Sequence, residues 1–138
     1  SLKKDNYKNL DKKYMNFAIK LAENQDGLTG SNPSVGCVIV KNKKIVSFGQ
    51  TNFNGRPHAE TICLNKNKAE SKGSTVYLTL EPCTHYGKTP PCTNALIKSK
   101  FVSIEEATLL YLLLNLLRKF WLSISHAEAN HNIFNFLQ

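Results

Sequence analysis

The sequence predicts an α/β domain, a sheet sandwiched by helices, and three observations carry that expectation. Helical periodicity and short apolar runs of strand character alternate along the chain. The 138 residues suffice for one real core but not comfortably for two. With 41% hydrophobic and 20% charged residues, the composition is that of an ordinary globular chain rather than a disordered one.

Taken in order, Tyr14, Phe17, Ala18 and Leu21 follow the i, i+3, i+4, i+7 spacing of an amphipathic helix, with Asp11 as its N-cap and Gly27 past its end. A loop with Gly30, Asn32 and Pro33 follows. Val35 to Val40 is nearly all apolar and reads as a strand buried on both faces. Asn42-Lys43 makes a tight turn, and Lys44 to Gly49 returns as the second strand of a hairpin. His58 to Leu64 reads as a helix with Glu60 in its first turn, stopped by Gly73. Ser74 to Leu80 is a third strand, rich in β-formers. Pro82-Cys83 breaks it, and Cys92 to Lys98 is a helix entered through Pro90-Pro91. No internal repeat or interdomain linker interrupts the pattern, so residues 1–138 read as one domain.

Beyond residue 100 the character changes. Leu109 to Leu117 is almost wholly apolar and stops at Arg118 and Lys119, too short for a bilayer, which takes about 20 apolar residues. Leucine is a good helix former, so this run reads as a buried or dimer-interface helix, which leaves homo-oligomerisation open. Residues 1–13 are polar and carry no leader pattern, so a cytoplasmic address is the default expectation. The net charge of +8 invites a polyanionic partner, but the lysines are scattered among asparagines and form no stripe interleaved with aromatics. The expected partner is therefore a small molecule rather than nucleic acid or a membrane.

Three pieces carry chemistry. In His58-Ala-Glu60, at a helix start, both side chains sit near the helix end. Cys83 lies just past a buried strand, and Cys92 opens another helix, where the helix dipole favours a thiolate. One imidazole and two thiolates give Zn²⁺ three ligands and leave its fourth tetrahedral position open, the mark of a catalytic rather than structural site. Glu60 is then placed as a proton shuttle. The zinc deaminases of nucleobases share such a pattern, His-x-Glu followed by Pro-Cys-x-x-Cys. Here eight residues, not two, separate Cys83 from Cys92.

That departure, in Thr79-Leu-Glu-Pro-Cys-Thr-His-Tyr-Gly-Lys-Thr-Pro-Pro-Cys92, joins Asn32-Pro-Ser-Val-Gly-Cys-Val-Ile-Val40 and Gly55-Arg-Pro-His-Ala-Glu60. Together they closely resemble the deaminase domain of bacterial riboflavin biosynthesis, from about Tyr14 to Lys98. The resemblance implies the cytidine-deaminase-like fold, a three-layer α/β/α sandwich with a central mixed sheet. It implies hydrolytic deamination of 2,5-diamino-6-(ribosylamino)-4(3H)-pyrimidinone 5′-phosphate, with zinc on His58, Cys83 and Cys92 and Glu60 as the catalytic acid–base. It further implies that Asn32 binds the pyrimidine edge, His85 lines the base pocket and Lys88 faces the ribose phosphate. Thr51 stands where many members have histidine and receives no role. The family's next strand and Asp-Pro loop are not recognisable in residues 101–125, and no reductase segment is recognisable within these 138 residues.

Plainer readings stand beside these. A lone His-x-Glu arises often by chance, and Asn32 before Pro33 is also a turn signature. Cys37 and Cys63 read as packed thiols and His126 and His131 as unliganded, while Glu81 supports a ligand rather than acting as an acid. The alternatives to the riboflavin-pathway reaction are a nucleoside, tRNA or polynucleotide base deaminase and a zinc-fold module whose chemistry has lapsed. The long cysteine spacing argues against the polynucleotide enzyme. The retained Asn32, His58, Glu60, Cys83 and Cys92 argue against the lapsed module.

Overall fold

Strand β1 (Gly36–Lys41) forms the spine of the fold in the computed structural model, which describes residues 2–107, with side chains from residue 8 onward. On one side it pairs antiparallel with β2 (Lys44–Gln50), across a turn in which Asn42 and Lys43 both take positive φ, 50° and 61°. That is the left-handed pair a two-residue hairpin needs to match strand twist. On its other side β1 pairs antiparallel with β3 (Thr75–Leu78). Outside β3 lies a parallel strand, β4 (Ser103–Glu106), so the sheet is mixed with order β2-β1-β3-β4.

Register and the period-2 alternation of strands sort the side chains into two cores. Cys37 opposes Leu78 and Ile39 opposes Val76. These four pack with Ala59, Cys63 and Leu64 of helix α2 (Ala59–Lys66) and Leu96 of helix α3 (Cys92–Lys98). Val38 opposes both Tyr77 and Phe48 and faces the other way, towards helix α1 (Leu2–Glu23). There the Tyr14 and Tyr77 rings meet at a 49° tilt with centroids 5.2 Å apart, and Phe17 meets Phe48 edge-on at 5.4 Å. Val38 and Ile39 are wholly buried, one in each core. Burial of each stabilises the fold by about 1.5–3 kcal/mol. The result is the three-layer α/β/α sandwich expected. Gly36 lets α1 approach the sheet closely, since a Cβ there would lie 2.7 Å from the Ala18 carbonyl carbon.

Two expectations are corrected. Asp11 does not cap α1, which starts at Leu2 and runs through it; its carboxylate instead accepts the Tyr77 hydroxyl at 2.6 Å, tying α1 to β3. A strand does exist after residue 100. β4 escapes notice because it is only four residues long and mostly exposed, with Glu105 and Glu106 in it. Its signal is the backbone register with β3, reinforced by a Thr75–Ser103 hydroxyl contact at 3.0 Å. Among the described residues no helix is long and apolar enough to cross a membrane. The leucine-rich run 109–117 and His126 and His131 lie outside the described residues.

Candidate active site

The site forms where α2 and α3 begin and the chain leaves β3. His58 is the N-cap of α2: its backbone is extended, and its carbonyl accepts the Ile62 N–H at 3.1 Å. Its ring makes no capping bond, so the imidazole faces the sulfurs instead. Nδ1 lies 3.4 Å from Cys92 Sγ and 3.8 Å from Cys83 Sγ. Pro91 precedes Cys92 at the N-terminus of α3, and the opening turn of that helix grips Cys83. The Cys92 N–H points to Cys83 Sγ at 3.3 Å, while the Thr93 N–H and hydroxyl both donate to the Cys83 carbonyl at 3.3 Å.

The three donor atoms lie within 4.8 Å of one another. Tetrahedral zinc, with nitrogen at about 2.0–2.1 Å and sulfur at about 2.3 Å, separates its ligand atoms by roughly 3.5–3.8 Å. The observed nitrogen–sulfur distances match that edge length, and one imidazole with two sulfurs is a donor set zinc accepts, so the residues fit the ion. Burial, reinforced by the Glu60 carboxylate and by Cys83, pushes the Cys92 thiol up to about 12. Desolvation here outweighs the dipole of a seven-residue helix, and a bound dication is the partner that reverses it. Cys37 and Cys63 lie apart from this cluster, both buried and free of disulfides. The Cys63 thiol donates to the Cys37 carbonyl at 3.6 Å. Hydrogen bonding to Cys63 and burial hold the Cys37 thiol well above its ordinary range.

A cavity of about 340 Å³ opens beside the cluster, within the size range of small-molecule sites. His58, Glu60 and Cys83 line it on one side, with Asn32 and His85 among the other lining residues. Glu60 is only 4% exposed, so its carboxylate faces the cavity from a dry wall. Asn32 is held there by Gly55, whose φ of +85° and missing side chain leave room for it; a Cβ on Gly55 would come within 2.7 Å of Asn32 Cβ and Cγ. Glu81 also lines the cavity but is exposed. Lys88 is exposed on the loop between the cysteines and does not form part of this wall.

Two residues of the wall have no role in the sequence reading. Thr51 is buried, its hydroxyl accepting the Val35 N–H at 3.0 Å. Arg56 lines the cavity and donates through Nη1 to Thr89 Oγ1 at 2.6 Å. Its one sequence signal is an arginine two residues before a candidate ligand.

A sequence model of the cytidine and deoxycytidylate deaminase zinc-binding region matches residues 8–107. The chain belongs to this family. Similar relatives include the riboflavin biosynthesis protein RibD of Aquifex aeolicus, 49% identical over 100 residues, which are 72% of this chain and 28% of that one. The diaminohydroxyphosphoribosylamino-pyrimidine deaminase of Buchnera aphidicola subsp. Schizaphis graminum is 54% identical over 99 residues, 72% of this chain and 67% of its own length. Among solved structures, Acinetobacter baumannii RibD superposes with a TM-score of 0.68 at 42% identity, covering 72% of this chain and 28% of that one. The present deaminase domain therefore spans little more than a quarter of the RibD chains and two thirds of the shorter Buchnera protein. The matches bear out the resemblance read from the motifs and carry it past Lys98, through β4. His58, Cys83 and Cys92 all fall inside the family's zinc-binding region.

Proposed function

We propose that this chain deaminates 2,5-diamino-6-(ribosylamino)-4(3H)-pyrimidinone 5′-phosphate by hydrolysis, as a step of riboflavin biosynthesis, with one zinc ion on His58, Cys83 and Cys92. The observation that carries the reading is the convergence of His58, Cys83 and Cys92 within 4.8 Å beside a cavity lined by a buried Glu60. When bound, zinc supplies Lewis acidity that lowers the pKa of water towards neutrality.

The remaining work belongs to side chains. Glu60 takes one proton from the attacking water and delivers it to the ring nitrogen next to the reacting carbon. It then takes the remaining proton from the hydroxyl added to that carbon and passes it to the amine, which leaves as ammonia as the carbonyl forms. Its burial keeps bulk water from competing for that proton, and its place two residues after His58 keeps it beside the metal ligands. The Asn32 amide offers both a donor and an acceptor to the pyrimidine edge. Its contact with Gly55 limits the rotamers it can take, which orders it before substrate arrives. His85 closes the base pocket from the loop, and Lys88 reaches from that loop to the ribose phosphate, where a cation suits the charge. The substrate is thus a small pyrimidine ribotide.

Ammonia release by the purified chain, offered the diamino-pyrimidinone phosphate and, separately, cytidine, tests this. Release from the ribotide and none from cytidine is expected. Release from cytidine alone, or from neither with zinc bound, contradicts the proposal.

A further inference from the structure

The loop of residues 84–90 between the two cysteines is exposed throughout, yet it carries both His85 and Lys88. Its ends are fixed at Cys83 by Thr93 and at Cys92 by α3. Across its middle one side chain reaches over from another part of the fold. The Arg56 guanidinium donates to Thr89 Oγ1 at 2.6 Å through Nη1. Its Nη2 lies close enough to Gly87 that a Cβ there would be 3.5 Å away. Gly87 and Thr89 are themselves joined, the Gly87 N–H donating to the Thr89 carbonyl at 3.3 Å. Arg56 thus meets the loop at both ends of a small internal turn.

Arg56 is suited to this because its own backbone is anchored. It follows the 3-10 turn Phe53–Gly55, and on its far side the Pro57 carbonyl accepts the Asn52 N–H at 3.1 Å. The planar guanidinium presents five donors in a fixed fork, and the Thr89 bond uses one of them on a side chain that also lines the cavity. Lysine, with a single rotating ammonium, has no equivalent fork.

We propose that Arg56 is a positioning residue that straps the 84–90 loop to the cavity and so sets where His85 meets the base and Lys88 the phosphate of the substrate. The link to substrate rests on the function proposed above; the strap does not. Arg56→Met and Thr89→Val, made singly and together in the full chain, separate the two. Limited trypsin digestion, followed by mass spectrometry for the cut after Lys88, reports loop mobility without reference to activity. Each single change should speed that cut roughly 3- to 5-fold, as expected for one exposed charge-assisted hydrogen bond, and the pair should do no more than Arg56→Met alone. With the pyrimidinone ribotide, KM should rise by a similar factor and kcat should fall by less. Unchanged cutting in both single variants, or effects that add in the double variant, overturns the strap. Faster cutting with unchanged KM overturns the link to substrate, and an unaltered chain that releases no ammonia counts against the proposed function while the digestion still decides the strap.

Discussion

Replacing Gly55 with alanine should disable the site through Asn32. Gly55 holds φ +85°, where a Cβ meets its own backbone at a cost of about 1–2 kcal/mol. The same Cβ would sit 2.7 Å from Asn32 Cβ and Cγ, far inside contact distance. Overlap of that kind costs about 1–3 kcal/mol once neighbours shift. Alanine's less flexible unfolded chain offsets roughly 0.4–1 kcal/mol, which leaves a net loss of about 1–4.5 kcal/mol. Urea unfolding of the zinc-loaded chain should show a lower midpoint with an unchanged slope. Activity should fall further than stability explains, because the relief available is for Asn32 to leave its place in the cavity wall. Asn32→Gly in the Gly55→Ala background removes the overlapped atoms and should recover the overlap share of the loss, but not activity. If the double variant is as unstable as Gly55→Ala alone, the Asn32 contact is not the cause.

Glu60→Gln should keep its zinc and lose roughly 10²–10⁴-fold in kcat, since it removes a proton carrier and no ligand; metal loss on this change would remove the shuttle role. Cys83→Ala or Cys92→Ala should abolish both zinc and activity, whereas Cys37→Ala should retain the metal, as elemental analysis after dialysis will show. Tyr77→Phe should cost about 1 kcal/mol, because it deletes the hydroxyl that donates to Asp11 while leaving that exposed carboxylate to water. Burial first, then the Asp11 hydrogen bond, holds the folded Tyr77 phenol above its ordinary value of about 10. Its contribution is therefore fully present below pH about 10 and fades above it, as the unfolded chain ionises first. The native chain should lose stability more steeply than Tyr77→Phe in melts above that pH, and parallel curves would refute the linkage.

Much of the site was legible because its chemistry is local in sequence. His58 and Glu60 share one helix start, and Pro-Pro before Cys92 announces the other. The strand β1 was readable from an unbroken apolar run, as burial on both faces demands. What failed was set by partners distant in the chain. Asp11 looks like a cap because short polar residues favour caps, yet Tyr77, 66 residues away, decides its role. β4 has too little apolar pattern of its own, and its strand character comes from pairing with β3. Arg56 was invisible as a functional candidate because its meaning depends on Thr89, 33 residues on. The loop that brings these together also leaves Lys88 outside the cavity wall, a placement no spacing rule encodes.

In the proposed mechanism His58, Cys83 and Cys92 hold one catalytic zinc while Glu60 stands beside it without binding it. X-ray absorption at the zinc edge of the purified full chain measures this directly. One zinc per chain is expected, with two sulfurs at about 2.3 Å and two nitrogen or oxygen neighbours at about 2.0–2.1 Å, and the same spectrum for Glu60→Gln. Four sulfur neighbours, none at all, or a spectrum that changes when Glu60 is replaced would contradict it.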